Sequence, residues 1–196
     1  MLGIFLDTET NGLNAQKHKV VEIAYKIVDV QTGKVLDEYE AVIFQSFEEW
    51  KKSDPLSLKV NGFAWNDVKD GMKEKQVAEA IKLSFKRNQI KRGEAVFICQ
   101  NPSFDRAFFN QLIDADTQEQ LNWPYHWLDL ASMHWMKCLH QGSFLPWETG
   151  VSKNKIAALY DLDPEATPHK AMNGVNHLIL CYRHVVGFPE EEEIKS

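Results

Sequence analysis

The run IFLDTETNGL at residues 4–13 constrains the fold of this chain more than any other segment. Its apolar start and polar end are typical of a buried strand that opens at its carboxyl end. Asp7 and Glu9 lie two residues apart on this strand, so both carboxylates point to one face. Adjacent carboxylates raise each other's pKa unless a cation lies between them, and their hard oxygens suit Mg²⁺ or Mn²⁺. The pair therefore suggests a metal site, although a polar strand end that faces water gives the same pattern.

The rest of the chain predicts an α/β protein. Two β-rich segments, Val20–Asp29 and 35–44, are joined by a turn at 31–33, and two further strands are expected at Ala95–Cys99 and 125–129. Helical spacing or helix-start signals predict helices over 56–62, 75–90, 104–113, 130–139, 152–160 and 169–186, with Ser103 and Ser152 as N-caps and Gly62 ending the first of them. This order predicts an RNase H-like mixed five-stranded sheet, an antiparallel three-strand meander plus two parallel strands, flanked by helices.

Length and composition indicate one globular domain. The chain has 196 residues, of which 44% are apolar, and we expect a single domain over 1–188 followed by an acidic tail over 189–196. We expect no membrane span and no signal peptide, because the first apolar run leads directly into carboxylates. The three widely spaced cysteines are read as reduced thiols, which favours the cytoplasm. The net charge of −6 argues mildly against nucleic-acid binding, but a basic stretch at 82–92 leaves that question open.

Three further features lie where chemistry is expected. Asp105 is in the first turn of the helix after the fourth strand, although a carboxylate there also suits the helix dipole. His169 is placed at the start of the last helix, where a histidine is often structural. Thr10, Asn11 and Leu13 belong to a turn directly after the two carboxylates, and the backbone of that turn can approach a nucleotide.

Together these residues resemble the DEDD exonuclease family, in the histidine-containing branch that includes the DNA polymerase III proofreading subunit and ribonuclease T. FLDTETNGL looks like the first motif and NPSFDRAFF like the second, while PHKAMNGVNHLILCYRHVV looks like the third. The segments LSLKVNGF and WLDLASM are similar to stretches between the family's motifs. The resemblance covers nearly the whole chain and implies the RNase H-like fold.

The resemblance also implies a reaction, namely 3′→5′ exonucleolytic hydrolysis of terminal phosphodiesters of DNA or RNA. Two divalent cations, Mg²⁺ or Mn²⁺, would be held by Asp7, Glu9 and Asp105, and His169 would take a proton from the attacking water. The partner is nucleic acid with a free 3′ end. No membrane is expected, and association with a polymerase is left open but not indicated. An RNase H-like endonuclease is a further alternative.

Several positions are candidates for substrate binding. They are Thr8, Thr10, Asn11, Leu13, Asn61 and Phe104. Leu13 would wedge against a base, and Phe104 could offer a stacking surface together with Phe63 and Trp65, although aromatic residues at these positions also suit a core.

The third motif departs from the family at one position. The family has a fourth acidic ligand five residues after the histidine, and this chain has Gly174 there. A glycine inside a helix costs about 1 kcal/mol relative to alanine, and nothing in the sequence explains it. Gly174 is either an engineered change, a natural variant with weaker metal binding, or the mark of a catalytically inactive nucleic-acid-binding or scaffold protein. For an active enzyme, we expect a requirement for Mn²⁺ or high Mg²⁺.

Overall fold

The computed structural model describes residues 1–142 and 145–190. Five strands form one sheet in the order β3-β2-β1-β4-β5. The strands are β1 (Leu2–Thr10), β2 (Val20–Asp29), β3 (Val35–Val42), β4 (Ala95–Cys99) and β5 (Trp127–Asp129). β1 pairs with β2 and β2 with β3 in antiparallel fashion, whereas β4 runs parallel to both β1 and β5. The predicted meander plus two parallel strands is therefore confirmed.

Ten helices accompany the sheet in the described part of the chain. They are α1 (Phe47–Trp50), α2 (Pro55–Asn61), α3 (Trp65–Val68), α4 (Glu74–Arg87), α5 (Pro102–Leu112), α6 (Ala115–Gln120), α7 (Leu130–Gln141), α8 (Pro146–Thr149), α9 (Lys153–Leu159) and α10 (Ala171–Val185). Four of them, α1, α3, α6 and α8, were not predicted from the sequence. Each has only four to six residues, which is too short for a helical period to show.

Alternation along β1 divides the core into two layers. Ile4 and Leu6 belong to the layer that also contains residues of α4 and α5. Phe5 lies on the opposite face, in a layer that contains Val175 and Leu178 of α10. Because Asp7 and Glu9 continue the register of Phe5, they lie on the α10 face of the sheet.

Of the two serines predicted to cap helices, one does so and the other does not. Ser152 caps α9 by accepting a hydrogen bond from the Lys155 amide, as predicted. Ser103 is not the N-cap of α5: Asn101 takes that position and Pro102 follows it, while the Ser103 hydroxyl donates to the Asn101 side chain. A proline suits the first helical position, so the helix begins two residues earlier than expected.

The last helix also begins at a different residue. α10 starts at Ala171 and not at His169, because the Ala171 amide donates to Oε2 of Glu22, at 2.7 Å. A carboxylate from β2 therefore satisfies the first amide of α10, which no local side chain does. This leaves His169 in the connection before the helix.

The predictions for Gly62 and for the turn at 31–33 are confirmed. Gly62 ends α2 in a left-handed conformation, as predicted, and the turn at 31–33 joins β2 to β3. Most of the predicted acidic tail, residues 191–196, lies outside the described residues. Among the residues that are described, no helix combines the length and apolar character needed to cross a bilayer.

Candidate active site

The strand β1 brings two carboxylates to the centre of the sheet. Asp7 and Glu9 lie near its carboxyl end, opposite Ala24 and Glu22 of β2, and the register shifts directly after Glu9. Both carboxylates are on the face covered by α10, and the Glu9 side chain is buried. The alternative that this strand end simply faces water is wrong.

Asp105 approaches from the other side of β1. Its Oδ1 accepts two hydrogen bonds from Thr8, one from the amide at 3.0 Å and one from the hydroxyl at 2.8 Å. The apolar residues Phe108 and Phe109 of α5 are fully buried against the sheet and fix the turn that carries Asp105. The Thr8 side chain is thus used to hold Asp105 in place.

A lysine occupies the space beside Asp7. The Lys153 ammonium, at the first position of α9, donates to Asp7 Oδ1 at 3.0 Å and lies 3.1 Å from Glu165 Oε2. It also lies 3.5 Å from the backbone carbonyl oxygen of Gly174. Only 12% of the Lys153 side chain is exposed, so this is a buried cation between two carboxylates.

Glu165 connects this lysine to two histidines. Its side chain is 2% exposed, and its Oε1 lies 3.8 Å from Nδ1 of His169. Oε2 lies 3.9 Å from Nδ1 of His177, whose Nε2 is 3.0 Å from the Asp163 carbonyl oxygen. These histidine–carboxylate distances fit ion pairs when a histidine is protonated, but they are too long for hydrogen bonds.

Gly174 lies where α10 passes over β1. A Cβ atom at this position would be 2.1 Å from Asp7 Oδ2, 2.6 Å from Asp7 Cγ and 3.0 Å from the Lys153 ammonium. No side chain fits at this position unless Asp7 moves. The structure therefore explains why position 174 is a glycine, which the sequence alone does not.

In the described part of the chain, the buried carboxylates of this site outnumber the cations that contact them. Burial raises the pKa of Glu9 to about 8, with a further increase from Asp7. Burial also raises the pKa of Asp7 despite Lys153, and it raises that of Asp105 well above its usual range, with Asp7 adding to the effect. Burial alone would lower the pKa of Lys153, but Asp7 and Glu165 raise it above its ordinary value. One ammonium thus faces several buried acids.

Besides Thr8, three of the predicted substrate-binding residues have side chains with internal hydrogen bonds. The Thr10 hydroxyl donates to the Gly12 carbonyl oxygen, and the Asn61 side chain donates to the Thr10 carbonyl oxygen. Asn11 donates to the Ser53 hydroxyl and accepts from the Lys19 amide. All three side chains are buried, so they shape the turn after β1.

The apolar candidates differ in exposure. Leu13 is 73% exposed at the tip of that turn, and Phe104 is partly buried against Phe108, with ring centroids 4.9 Å apart. Phe63 is buried beneath the Lys170 ammonium, which lies 3.3 Å from the ring centroid. Leu13 is therefore the most accessible of these apolar side chains, and the substrate role of the whole set stays a prediction.

His169 lies beside the turn at the end of α2. Its amide donates to the Val60 carbonyl oxygen, and Pro168 packs against Gly62, where a Cβ would be 2.8 Å from the proline ring. These contacts place the imidazole next to Glu165.

Within the described residues, 1–142 and 145–190, no group of three or more His, Cys, Asp or Glu side chains is arranged to hold a metal ion.

The sequence did not single out Lys153, Glu165 or Glu22. One signal was available for the lysine: a cation in the first turn of a helix opposes the helix dipole, which favours anions there. Glu165 and Glu22 have no comparable local signal, since their partners are distant in sequence.

Comparisons with known proteins agree with this architecture. A family model described as Exonuclease matches residues 4–173, and no curated protein sequence matches the chain. Among solved structures, E. coli exonuclease I in complex with a dT13 oligonucleotide superposes with a TM-score of 0.74 at 14% identity, over 94% of this chain and 40% of that one.

Two further solved structures are also similar. The zinc-bound form of the E. coli exonuclease I complex with single-stranded DNA gives a TM-score of 0.73 at 13% identity, over 93% of this chain and 40% of that one. Cell-death related nuclease 4 gives 0.73 at 13% identity, over 94% of this chain and 63% of that one. The chain thus spans less than two thirds of the length of each of these nucleases, and at such low identity they show the fold alone.

Proposed function

Because the chain belongs to the exonuclease family, we propose that it removes nucleotides one at a time from the free 3′ end of a nucleic-acid strand. The observation that carries this proposal is the position of Asp7 and Glu9 on β1 and of Asp105 against Thr8, the residue between them in sequence. Burial raises the pKa of all three carboxyls, and among the described residues the one salt bridge to any of them joins Lys153 to Asp7. Evolution rarely retains such a cost in stability without a chemical use, and perturbed acids of this kind cluster at functional sites.

The donor chemistry of this group fits a divalent cation. Carboxylate oxygens are hard ligands that Mg²⁺ and Mn²⁺ prefer, and the raised pKa values indicate negative charge that remains to be balanced. Asp7 Oδ1 already accepts from Lys153, and Asp105 Oδ1 from Thr8, which leaves their second oxygens and Glu9 as the donors. A cation held there would polarise the phosphodiester and stabilise the charge that develops on its oxygens.

The protein's own contribution to the reaction is a placed base. His169 would take a proton from the water that attacks phosphorus, while the bond from phosphorus to the 3′ oxygen breaks and that oxygen gains a proton. Because Nδ1 of His169 faces the buried Glu165 carboxylate, Nε2 is the nitrogen assigned to this transfer. Glu165 would stabilise the imidazolium that forms, as a carboxylate does behind other catalytic histidines.

We propose single-stranded DNA as the first substrate to test. E. coli exonuclease I, which has the same fold, is bound to dT13 in one of the structures reported above. In this chain, Leu13 is exposed in the turn that follows β1 and would offer an apolar contact to the terminal base. A cytoplasmic location is part of the proposal and is supported by three buried, free cysteines.

The proposal is tested with an oligonucleotide labelled at its 5′ end. The chain is incubated with Mn²⁺ or Mg²⁺ and the products are separated on a denaturing gel. A ladder of 5′-labelled products that disappears in Asp7→Asn but persists in Asp116→Asn, which changes an exposed carboxylate of α6, supports a 3′→5′ exonuclease. Digestion of a closed circular strand would instead identify an endonuclease.

A second candidate function is favoured by Gly174 and Lys153. With an ammonium beside Asp7 and no acid at position 174, the site suits a nucleic-acid-binding protein that has lost hydrolysis. Fluorescence anisotropy with the same oligonucleotide separates the two functions. Binding without any ladder in Mn²⁺ supports this candidate and refutes the exonuclease.

A further inference from the structure

Three oxygen atoms from distant parts of the chain surround the Lys153 ammonium. They are Asp7 Oδ1 at 3.0 Å, Glu165 Oε2 at 3.1 Å and the Gly174 carbonyl oxygen at 3.5 Å. Two carboxylates and a carbonyl are also the donors that a divalent cation takes from proteins. The ammonium therefore lies in a cation site made of oxygens.

The Glu165 carboxylate is an independent sign of such a site. Its side chain is 2% exposed, and in the described part of the chain its Oε1 is buried without a hydrogen-bond partner. A buried carboxylate oxygen without a partner costs stability, and proteins normally retain one only where it has a charge to balance. Here the permanent charge is that of Lys153, on the neighbouring oxygen, and the His169 imidazole lies 3.8 Å from Oε1 itself.

Gly174 of α10 leaves the space in which Asp7 and the Lys153 ammonium form their ion pair. Any Cβ at position 174 would be 3.0 Å from the Lys153 ammonium and closer still to Asp7. A glycine at this position, and no larger residue, lets Asp7 and the ammonium meet beneath the helix. The loss of the fourth acid and the presence of the lysine are thus two parts of one arrangement.

We infer that the Lys153 ammonium permanently takes the place of one of the two divalent cations that the sequence resemblance implied. This inference rests on the proposed function. It means that the centre uses one exchangeable cation, held by Glu9 and the second oxygens of Asp7 and Asp105, and one covalently attached positive charge between Asp7 and Glu165. The fixed charge would be unaffected by chelators and by the metal composition of the buffer.

Counting bound Mn²⁺ tests the inference without measuring activity. The full chain is freed of metal, titrated with Mn²⁺, and the unbound ion is quantified by electron paramagnetic resonance. Lys153→Met removes the ammonium while keeping a similar side-chain length, and Lys153→Gln keeps a donor for the carboxylates. Both variants are expected to bind one Mn²⁺ more per chain than the unsubstituted protein, whereas Lys155→Met, an exposed lysine on the same helix, leaves the count unchanged.

The Mn²⁺ counts of the Lys153 variants decide whether the ammonium occupies a cation site. An unchanged count in both Lys153 variants, with native circular dichroism, overturns the inference. A variant that is unfolded without metal supports the inference if Mn²⁺ refolds it and opposes it if Mn²⁺ does not. If the unsubstituted chain binds no Mn²⁺ while both variants bind one, the inference stands and the metal-dependent nuclease of the proposed function fails.

Discussion

Replacement of Gly174 by alanine is the most informative single change in this protein. In an exposed helix the substitution would stabilise α10 by about 1 kcal/mol, because alanine has the higher helix propensity. Here the added Cβ would be 2.1 Å from Asp7 Oδ2 and 2.6 Å from Asp7 Cγ. Asp7 is a short side chain on a central strand, so it can relieve the overlap only by turning away from Lys153.

The loss of that contact sets the size of the effect. Removing one partner of a buried ion pair costs about 3–5 kcal/mol, because the other charge stays buried. After subtraction of the gain in helix propensity, Gly174→Ala is expected to lower the free energy of unfolding by about 2–4 kcal/mol. For a chain of this size, each kcal/mol moves the Tm by about 2–4 °C. The Tm should therefore fall by roughly 5–15 °C.

The measurement is a thermal melt in metal-free buffer, followed by circular dichroism, of four proteins: the unsubstituted chain, Gly174→Ala, Asp7→Ala and the double variant. Once Asp7→Ala has removed the contacting atoms, Gly174→Ala should no longer destabilise and should raise the Tm slightly. Asn176→Ala, an exposed position on α10, controls for the helix propensity of the substitution. A Tm loss from Gly174→Ala that is equally large in the Asp7→Ala background would refute the steric argument.

Three further predictions concern charge, capping and substrate contact. Burial raises the pKa of Glu9 to about 8 in the folded chain, so between about pH 4.5 and pH 8 the unfolded state loses this proton first. As the pH rises through that window, the metal-free protein should lose up to ~5 kcal/mol of its free energy of unfolding. Glu9→Gln should flatten the dependence of the urea midpoint on pH. Asp129 accepts from the amides of Ala131 and Ser132 at the start of α7, so Asp129→Ala should cost about 1–2 kcal/mol in a urea melt, against no change for the exposed Asp116→Asn. Leu13→Ser should weaken oligonucleotide binding by roughly tenfold in an anisotropy titration while the Tm stays the same, because the side chain is 73% exposed; an unaltered Kd would remove Leu13 from the substrate site.

Local patterns in the sequence were sufficient to predict the sheet and the acidic pair. The β-branched segments at Val20–Asp29 and Ala95–Cys99 form strands with the predicted bounds, because buried strands leave a clear apolar signal. The alternation of β1 placed Asp7 and Glu9 on one face, and the structure confirms that placement.

The remainder of the site depends on contacts between distant residues. The ion pair between Lys153 and Asp7 joins positions 146 residues apart, and the Glu22 contact that begins α10 joins positions 149 apart. No periodicity or spacing encodes such pairs. The role of Gly174 was invisible for the same reason, since the atoms that would collide with its Cβ belong to β1 and α9.

The close fit of Gly174, Asp7 and Lys153 also restricts how this sequence can change by single substitutions. An acid placed at position 174 would collide with Asp7, which Lys153 holds in an ion pair. Loss of Lys153 alone would leave Asp7 and Glu165 buried without their cation. Each single substitution of these two residues is therefore expected to destabilise the folded chain while the other residue is unchanged. The effects of substitutions at positions 153 and 174 are therefore expected to depend on each other rather than to add.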